Sequence, residues 1–230
     1  MRAVRSTPSA AARRREFLGW TLAAAGCGLL CPAVRWTLAA DDQPKGEPMR
    51  DEFQVVVGWI GAVLERPLTN TFDAQSTEYA ILAQLKEGWG KRDTAGLLKA
   101  LTAEHGDAAG KAVERFLELN IRRDWAEIGK AEAHAGTEIE DFIRVLWDPL
   151  KAQGFEYSVQ RDGDRAEFRV TRCPVHALAE KTGMHAWLYH LACATDYYST
   201  PAFSSKIHFT RTTTLMQGHD CCNHRYSYTI

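Results

Sequence analysis

Between Thr171 and Tyr226 the chain holds every cysteine outside its first forty residues: Cys173, Cys193, Cys221 and Cys222. Six of its eight histidines lie there too. Thiols and imidazoles are the side chains that serve as nucleophiles, proton carriers and metal ligands near neutral pH. Crowding them into one stretch marks a candidate site, and three chemistries compete for it. The first is metal binding. Cys173-Pro174-Val175-His176 and His190-Leu191-Ala192-Cys193 each have ligand spacing, and His219, Asp220, Cys222 and His224 could complete a shell. The candidate ligands are His190, Cys193, Cys222 and His224, and the cofactor would then be a divalent metal such as zinc, although the spacings match no standard zinc module. The second is catalysis by a thiolate whose pKa a nearby Arg or His lowers, with an Asp or His carrying the proton. The third is structural: buried cysteines that pack as small apolar groups or pair as disulfides. Four cysteines allow three complete pairings, and a bond between the neighbours Cys221 and Cys222 would be strained. Arg172, Arg211 and Arg225 flank these segments and could clamp a small carboxylate through paired hydrogen bonds, or form ordinary solvated ion pairs.

The elements that must position these groups change character midway. Phe53, Val56, Val57, Ile60, Val63 and Leu64 recur at helical spacing until Pro67. Ser76-Thr77-Glu78 and Asp93-Thr94 open two further helices, and Asp107 to Ala133 forms a long one with Val113, Phe116, Leu117 and Ile121 on one face. Thr137-Glu138-Ile139-Glu140 has the form of a capping box for a helix that Gly154 ends. His105 and His134, near helix ends, are read as exposed or dipole-complementing residues. The period then becomes two. Phe155, Tyr157 and Val159 share a face, Asp162-Gly163 makes a hairpin turn, and Ala166, Phe168 and Val170 share a face of the return strand. Pro174 starts a short helix that Gly183 stops, and a longer helix runs from His185 to about Tyr198, placing His190, Cys193 and Asp196 along one side. Lys206 to Leu215 alternates, and after Gln217-Gly218 a last strand from Cys221 to Thr229 puts Cys222, His224 and Tyr226 on one face. This pattern predicts an α+β fold: a helical N-terminal part packed on a C-terminal antiparallel sheet of about four strands with two inserted helices.

The first forty residues are of another kind. Arg14-Arg15-Glu16-Phe17-Leu18 follows a basic arm and leads into the mostly apolar stretch from Gly19 to Val34, with small residues at Ala39-Ala40. This resembles a twin-arginine export signal, which implies residues 1–40 as a leader handled by the twin-arginine machinery, 41–50 as a polar linker, and 51–230 as one domain exported to the periplasm or beyond. A lipid anchor at Cys27 is the minor alternative. The apolar run is shorter than a membrane span needs, so the mature chain is not expected to span a membrane. Six of the 28 basic residues and one of the 29 acidic ones precede residue 41. The remainder thus carries 22 basic and 28 acidic side chains, a net charge of −6. That balance argues against nucleic acid as a partner. No phosphate-binding glycine loop, nucleophile elbow or zinc-protease motif is present.

Phe168-Arg169-Val170-Thr171-Arg172-Cys173-Pro174, Leu191-Ala192-Cys193-Ala194-Thr195-Asp196, and Lys206 through Thr214-Leu215-Met216-Gln217-Gly218 into Asp220-Cys221-Cys222 and Arg225-Tyr226 resemble the L-2-amino-thiazoline-4-carboxylic acid hydrolase family. The chain differs from the family's usual acidic or aromatic side chains at His219, Asn223 and His224. The resemblance implies a hydrolase whose substrate is a small carboxylate-bearing heterocycle, a five-membered cyclic amidine that water opens at the carbon between sulfur and nitrogen. On that reading Cys173, Cys193, Asp196, Asp220 and Cys222 are the catalytic candidates, and Arg172, Arg211 and Arg225 the substrate-binding ones. A non-catalytic module that binds a small molecule or metal, similar to vinyl-reductase-type ligand-binding domains, is the alternative.

Overall fold

Apolar residues at helical spacing in one half and at alternate positions in the other give two layers, helices over one face of a sheet. The computed structural model describes residues 61, 64–68, 72–89 and 93–229. The leader, the linker and most of the helix expected before Pro67 lie outside these residues. Helix α1 spans Thr77–Gly88 and α2 spans Thr94–His105. Ser76 Oγ accepts the Tyr79 N–H and Asp93 Oδ1 the Gly96 N–H, so each helix starts where a side-chain acceptor meets an otherwise orphaned donor. Helix α3, Asp107–Glu132, is the longest at 26 residues, about 39 Å at 1.5 Å per residue. It buries Val113, Phe116, Leu117, Ile121, Trp125 and Ile128.

The expected capping box at Thr137 does not form as drawn. Thr137 makes no side-chain cap bond; its hydroxyl donates to Asp141 instead, while Glu138 Oε2 accepts the Gly136 N–H. The helix that follows is also not uniform. It is α4, Glu138–Phe142, then a π-helical stretch, Ile143–Trp147, then α5, Asp148–Lys151. Pro149 explains the widening: it has no N–H for the carbonyl four residues back, and its ring would crowd that carbonyl in a regular helix.

Four antiparallel strands form the sheet: β1 (Glu156–Asp162), β2 (Arg165–Arg172), β3 (Ile207–Thr210) and β4 (Cys222–Tyr228), in the order β1-β2-β4-β3. Gly163, at φ 52, takes the left-handed conformation that the tight β1–β2 turn needs. Ala166, Phe168 and Val170 are buried, as are Cys222, His224 and Tyr226, so the sequence reading of the inward face holds in both central strands, although Asn223, on the other face of β4, is buried too. It fails on β1, where Val159 is exposed. β1 is an edge strand, and the helical cover reaches Tyr157, which packs on Trp147, but not Val159.

Between β2 and β3 run α6 (Pro174–Thr182), α7 (His185–Leu191) and α8 (Asp196–Phe203). The long helix expected from His185 to Tyr198 is therefore broken. At Ala192 the backbone leaves helical values (φ −127, ψ −56), and a 3₁₀ turn, Cys193–Thr195, joins α7 to α8. α8 lies directly on α3. A side chain on Gly129 would meet the Phe203 carbonyl oxygen at 1.9 Å, so only glycine permits this crossing. Trp125, Phe142 and Phe203 pack beside it with ring centroids 5.2 to 5.9 Å apart, and Phe142 passes the contact to Tyr226 of β4 at 5.4 Å. The helical layer is thus tied to the strand that carries Cys222 and His224.

Candidate functional site

A cavity of about 30 Å³ opens where five segments meet. Its lining is Leu146, Trp147 and Leu150 of the π-widened helix, Phe155, Val170 and Cys173 around β1 and β2, Cys193 and Asp196 at the α7–α8 break, Arg211 after β3, and Cys222 and His224 of β4. One ordered water needs about 10–15 Å³ on this scale, so the cavity holds roughly two.

Each polar group is there for a local reason. Trp147 is placed by the π turn, which stacks its ring on Phe168 at 4.1 Å and sets its edge against His224 at 5.0 Å; its Nε1–H donates to Tyr226 Oη at 3.2 Å. Cys173 is the residue that opens α6, ahead of Pro174. Arg211 is aimed by the loop after β3. There Asn223 replaces the strand ladder, its Oδ1 accepting the N–H groups of Thr212 (2.9 Å) and Thr213 (2.8 Å) while its Nδ2 donates to Thr212 Oγ1. The helix break frees the Cys193 carbonyl, and Arg211 Nη2 donates to it at 2.8 Å.

At the centre is a charged trio. Arg211 Nη1 donates to Asp196 Oδ2 at 2.5 Å, and His224 Nε2 is 3.2 Å from the same oxygen and 3.4 Å from Arg211 Nη1. The side chains are 2% (Arg211), 8% (Asp196) and 9% (His224) exposed. A proton on His224 Nε2 satisfies the carboxylate, and that assignment leaves the Nδ1 lone pair as an acceptor. Nδ1 is fully buried and has no hydrogen-bond partner. Burial lowers the His224 pKa below its ordinary value, outweighing the Asp196 contacts, with Arg211 adding to the effect. The imidazole is therefore neutral at neutral pH. Arg211 goes the other way. Burial alone would weaken its charge, but Asp196 and the surrounding polar groups hold its pKa above the usual value.

The four cysteines 173, 193, 221 and 222 are free thiols. Burial pushes Cys193 well up despite the Arg211 charge, and pushes Cys222 up to about 11 even though the Leu215 N–H donates to its sulfur at 3.2 Å. Neither is a thiolate at rest near pH 7. Cys221 is half-buried outside the lining.

Of the residues singled out from the sequence, Cys173, Cys193, Asp196, Arg211, Cys222 and His224 converge on the cavity. Asp220 is exposed in the turn before β4, and Arg172 and Arg225 sit on the surface paired with Glu156 (3.5 Å) and Glu167 (3.1 Å). His190 is also elsewhere. The break at Ala192 rotates it away from Cys193, toward Glu114 of α3 at 3.0 Å. His176 points to Glu180 and His185, apart from the Cys173 that precedes it. Two contributors were not visible from the spacing of chemical residues. Trp147 had a signal, Pro149 inside a helical pattern; Asn223 had none, since its role depends on where the ladder of β3 stops.

Neither the curated proteins nor the solved structures give a match to this chain. The family model described as L-2-amino-thiazoline-4-carboxylic acid hydrolase matches residues 89–226, more than half of the sequence and all of the segments that build the cavity. That match places the chain in the L-2-amino-thiazoline-4-carboxylic acid hydrolase family.

Proposed function

We propose that the chain is a hydrolase that opens a 2-amino-thiazoline-4-carboxylate-like cyclic amidine, with His224 as the general base for water. The observation that carries this reading is the buried, unpartnered Nδ1 of His224, a residue of the cavity lining, with Asp196 bound to the opposite ring nitrogen. A neutral imidazole held by a carboxylate is set up to accept a proton. In the reaction, the water oxygen bonds to the amidine carbon while Nδ1 takes one of its protons. Collapse of the tetrahedral species breaks the bond from that carbon to the ring nitrogen. The imidazolium returns the proton to the departing nitrogen, leaving an amine and a thiocarbamate.

Asp196 stabilises the imidazolium formed in between, as Arg211 stabilises Asp196 in its ionised form. The bonds of Arg211 to Asp196 and to the Cys193 carbonyl use two of five N–H donors, and the others are the candidate clamp for the substrate carboxylate. A protonated amidine with a carboxylate carries both signs of charge, matching a buried Arg–Asp pair, and the cavity, which as it stands has room for about two waters, must widen to admit it. With Cys193 and Cys222 protonated, water is the better nucleophile. A thiolate route would instead use Cys173, whose place at the start of α6 favours negative charge. Export through the twin-arginine route, with action outside the cytoplasm, belongs to the same proposal.

The test is ring opening of 2-amino-thiazoline-4-carboxylate by purified protein. His224→Gln should reduce kcat by roughly 10²–10⁴-fold, the usual worth of a general base, and Cys173→Ser should leave it within a few fold. A covalent adduct trapped on Cys173, or full activity in the His224 variant, would replace water activation by thiol catalysis.

A further inference from the structure

The surface of α6 carries a second cluster that the proposed chemistry does not use. His176 and Glu180 stand four residues apart on one face of α6. Gly183, left-handed at φ 69 and ψ 15, ends that helix and reverses the chain so that His185, the first residue of α7, folds back over Glu180. His185 Nε2 lies 2.6 Å and His176 Nε2 3.4 Å from the same oxygen, Glu180 Oε1. The three donor atoms all fall within 4.8 Å of one another, and this is the one His/Cys/Asp/Glu group among the described residues to do so. The imidazoles meet edge to face with centroids 5.9 Å apart, so the nitrogens converge while the rings stay clear of each other.

From this geometry we infer that His176, Glu180 and His185 form a binding site for a divalent transition metal ion, with Zn²⁺ the best-matched probe. Two imidazole nitrogens and one carboxylate oxygen are a donor set that borderline ions favour over Mg²⁺ or Ca²⁺, which take oxygen shells. Tetrahedral zinc with bonds of 2.0–2.1 Å separates adjacent donors by about 3.3 Å. The His176–Glu180 edge already has that length. The His185–Glu180 edge must open by well under 1 Å, exchanging a hydrogen bond for two metal bonds. All three side chains reach solvent, at 26%, 61% and 38% exposure for His176, Glu180 and His185, so an ion can enter without unfolding and keep a fourth position for water. The ion would join the end of α6 to the start of α7. Because α6 begins at Cys173, the ion would also brace the wall of the cavity from outside.

Zinc chloride titrated into chelator-treated protein in a buffer that does not bind zinc tests this. Wild-type protein should take up one equivalent and gain about 5 °C or more in melting temperature at a hundredfold excess over Kd. His176→Ala/His185→Ala should lose both effects, while Cys173→Ser/Cys222→Ser keeps both. Without zinc the histidine variant should melt where the wild type does, since its side chains are outside the core. Cobalt(II) in place of zinc should show a tetrahedral spectrum without a thiolate charge-transfer band. Zinc uptake unchanged in the histidine variant, a thiolate band, or no uptake at all would each overturn the site.

Discussion

Two histidine–carboxylate groups in this protein use the same side chains to different ends. In the cavity, His224 and Asp196 are sealed with Arg211 behind Trp147, and burial lowers the histidine pKa. Where α6 meets α7, His176 and His185 share Glu180 in contact with water, and the carboxylate pKa is lowered chiefly by the His185 hydrogen bond. The difference lies in desolvation. A buried ring refuses its second proton until a lower pH than it would in water and stays a base with one free nitrogen; an exposed pair keeps its solvent and remains open to an ion.

The comparison breaks first at its most buried member. Asp196→Ala leaves the Arg211 charge in the interior without its partner, which should cost about 3–5 kcal/mol in urea unfolding, together with activity. Changing Glu180→Gln should leave the unfolding midpoint where it was. Equal losses at both sites would mean that burial does not distinguish them. Between these extremes, Gly129→Ala tests whether the helical layer holds the cavity in shape. Its methyl group would run into the Phe203 carbonyl and should destabilise by about 1–3 kcal/mol. A neutral result would show that α3 and α8 can slide without cost.

The pH dependence sharpens the contrast with a smaller effect. His224 titrates below its ordinary value in the folded protein, so both states are neutral above about pH 6.5 and the group adds no slope there. As pH falls below 6.5 the unfolded chain binds a proton that the folded one refuses, and stability drops until the folded pKa is passed. His224→Gln should remove that part of the slope. Asp141, held down to about 2 by His134 and Arg144 in spite of burial, acts in a separate window: its contribution is present above about pH 4 and is lost as pH falls toward 2. A slope just below pH 6.5 that survives in the His224 variant would assign it to other groups.

Much of the fold could be read along the chain because local signals and tertiary demands agree there. Ser76 and Asp93 cap the helices they were expected to cap, Pro174 and Gly183 bound α6, and the alternation of β2 separates core from solvent. The errors fall where a distant partner overrides the local pattern. The helix from His185 was expected to continue past Ala192, but its broken turn gives the Cys193 carbonyl to Arg211, eighteen positions away. Thr137 is the local exception: expected to cap its own helix, it donates instead to Asp141 four residues on. The strand expected to reach Leu215 stops at Thr210 because Asn223 takes up the N–H groups of Thr212 and Thr213. At the site, Cys173, Cys193, Asp196, Arg211, Cys222 and His224 could be named from the sequence, whereas Asp220, Arg172, Arg225 and His190 share their chemistry but lie outside the cavity.

Periodicity, capping residues and the crowding of thiols and imidazoles are properties of neighbours in the chain. By themselves they determined the α+β layout, the strand faces and the segment that holds the site. Which histidine is neutral, which arginine is buried against a carboxylate and which thiols line a common cavity were decided by tertiary structure alone. Protonation and charge pairing depend on how much water each group keeps, and that follows from segments far apart in sequence closing over it.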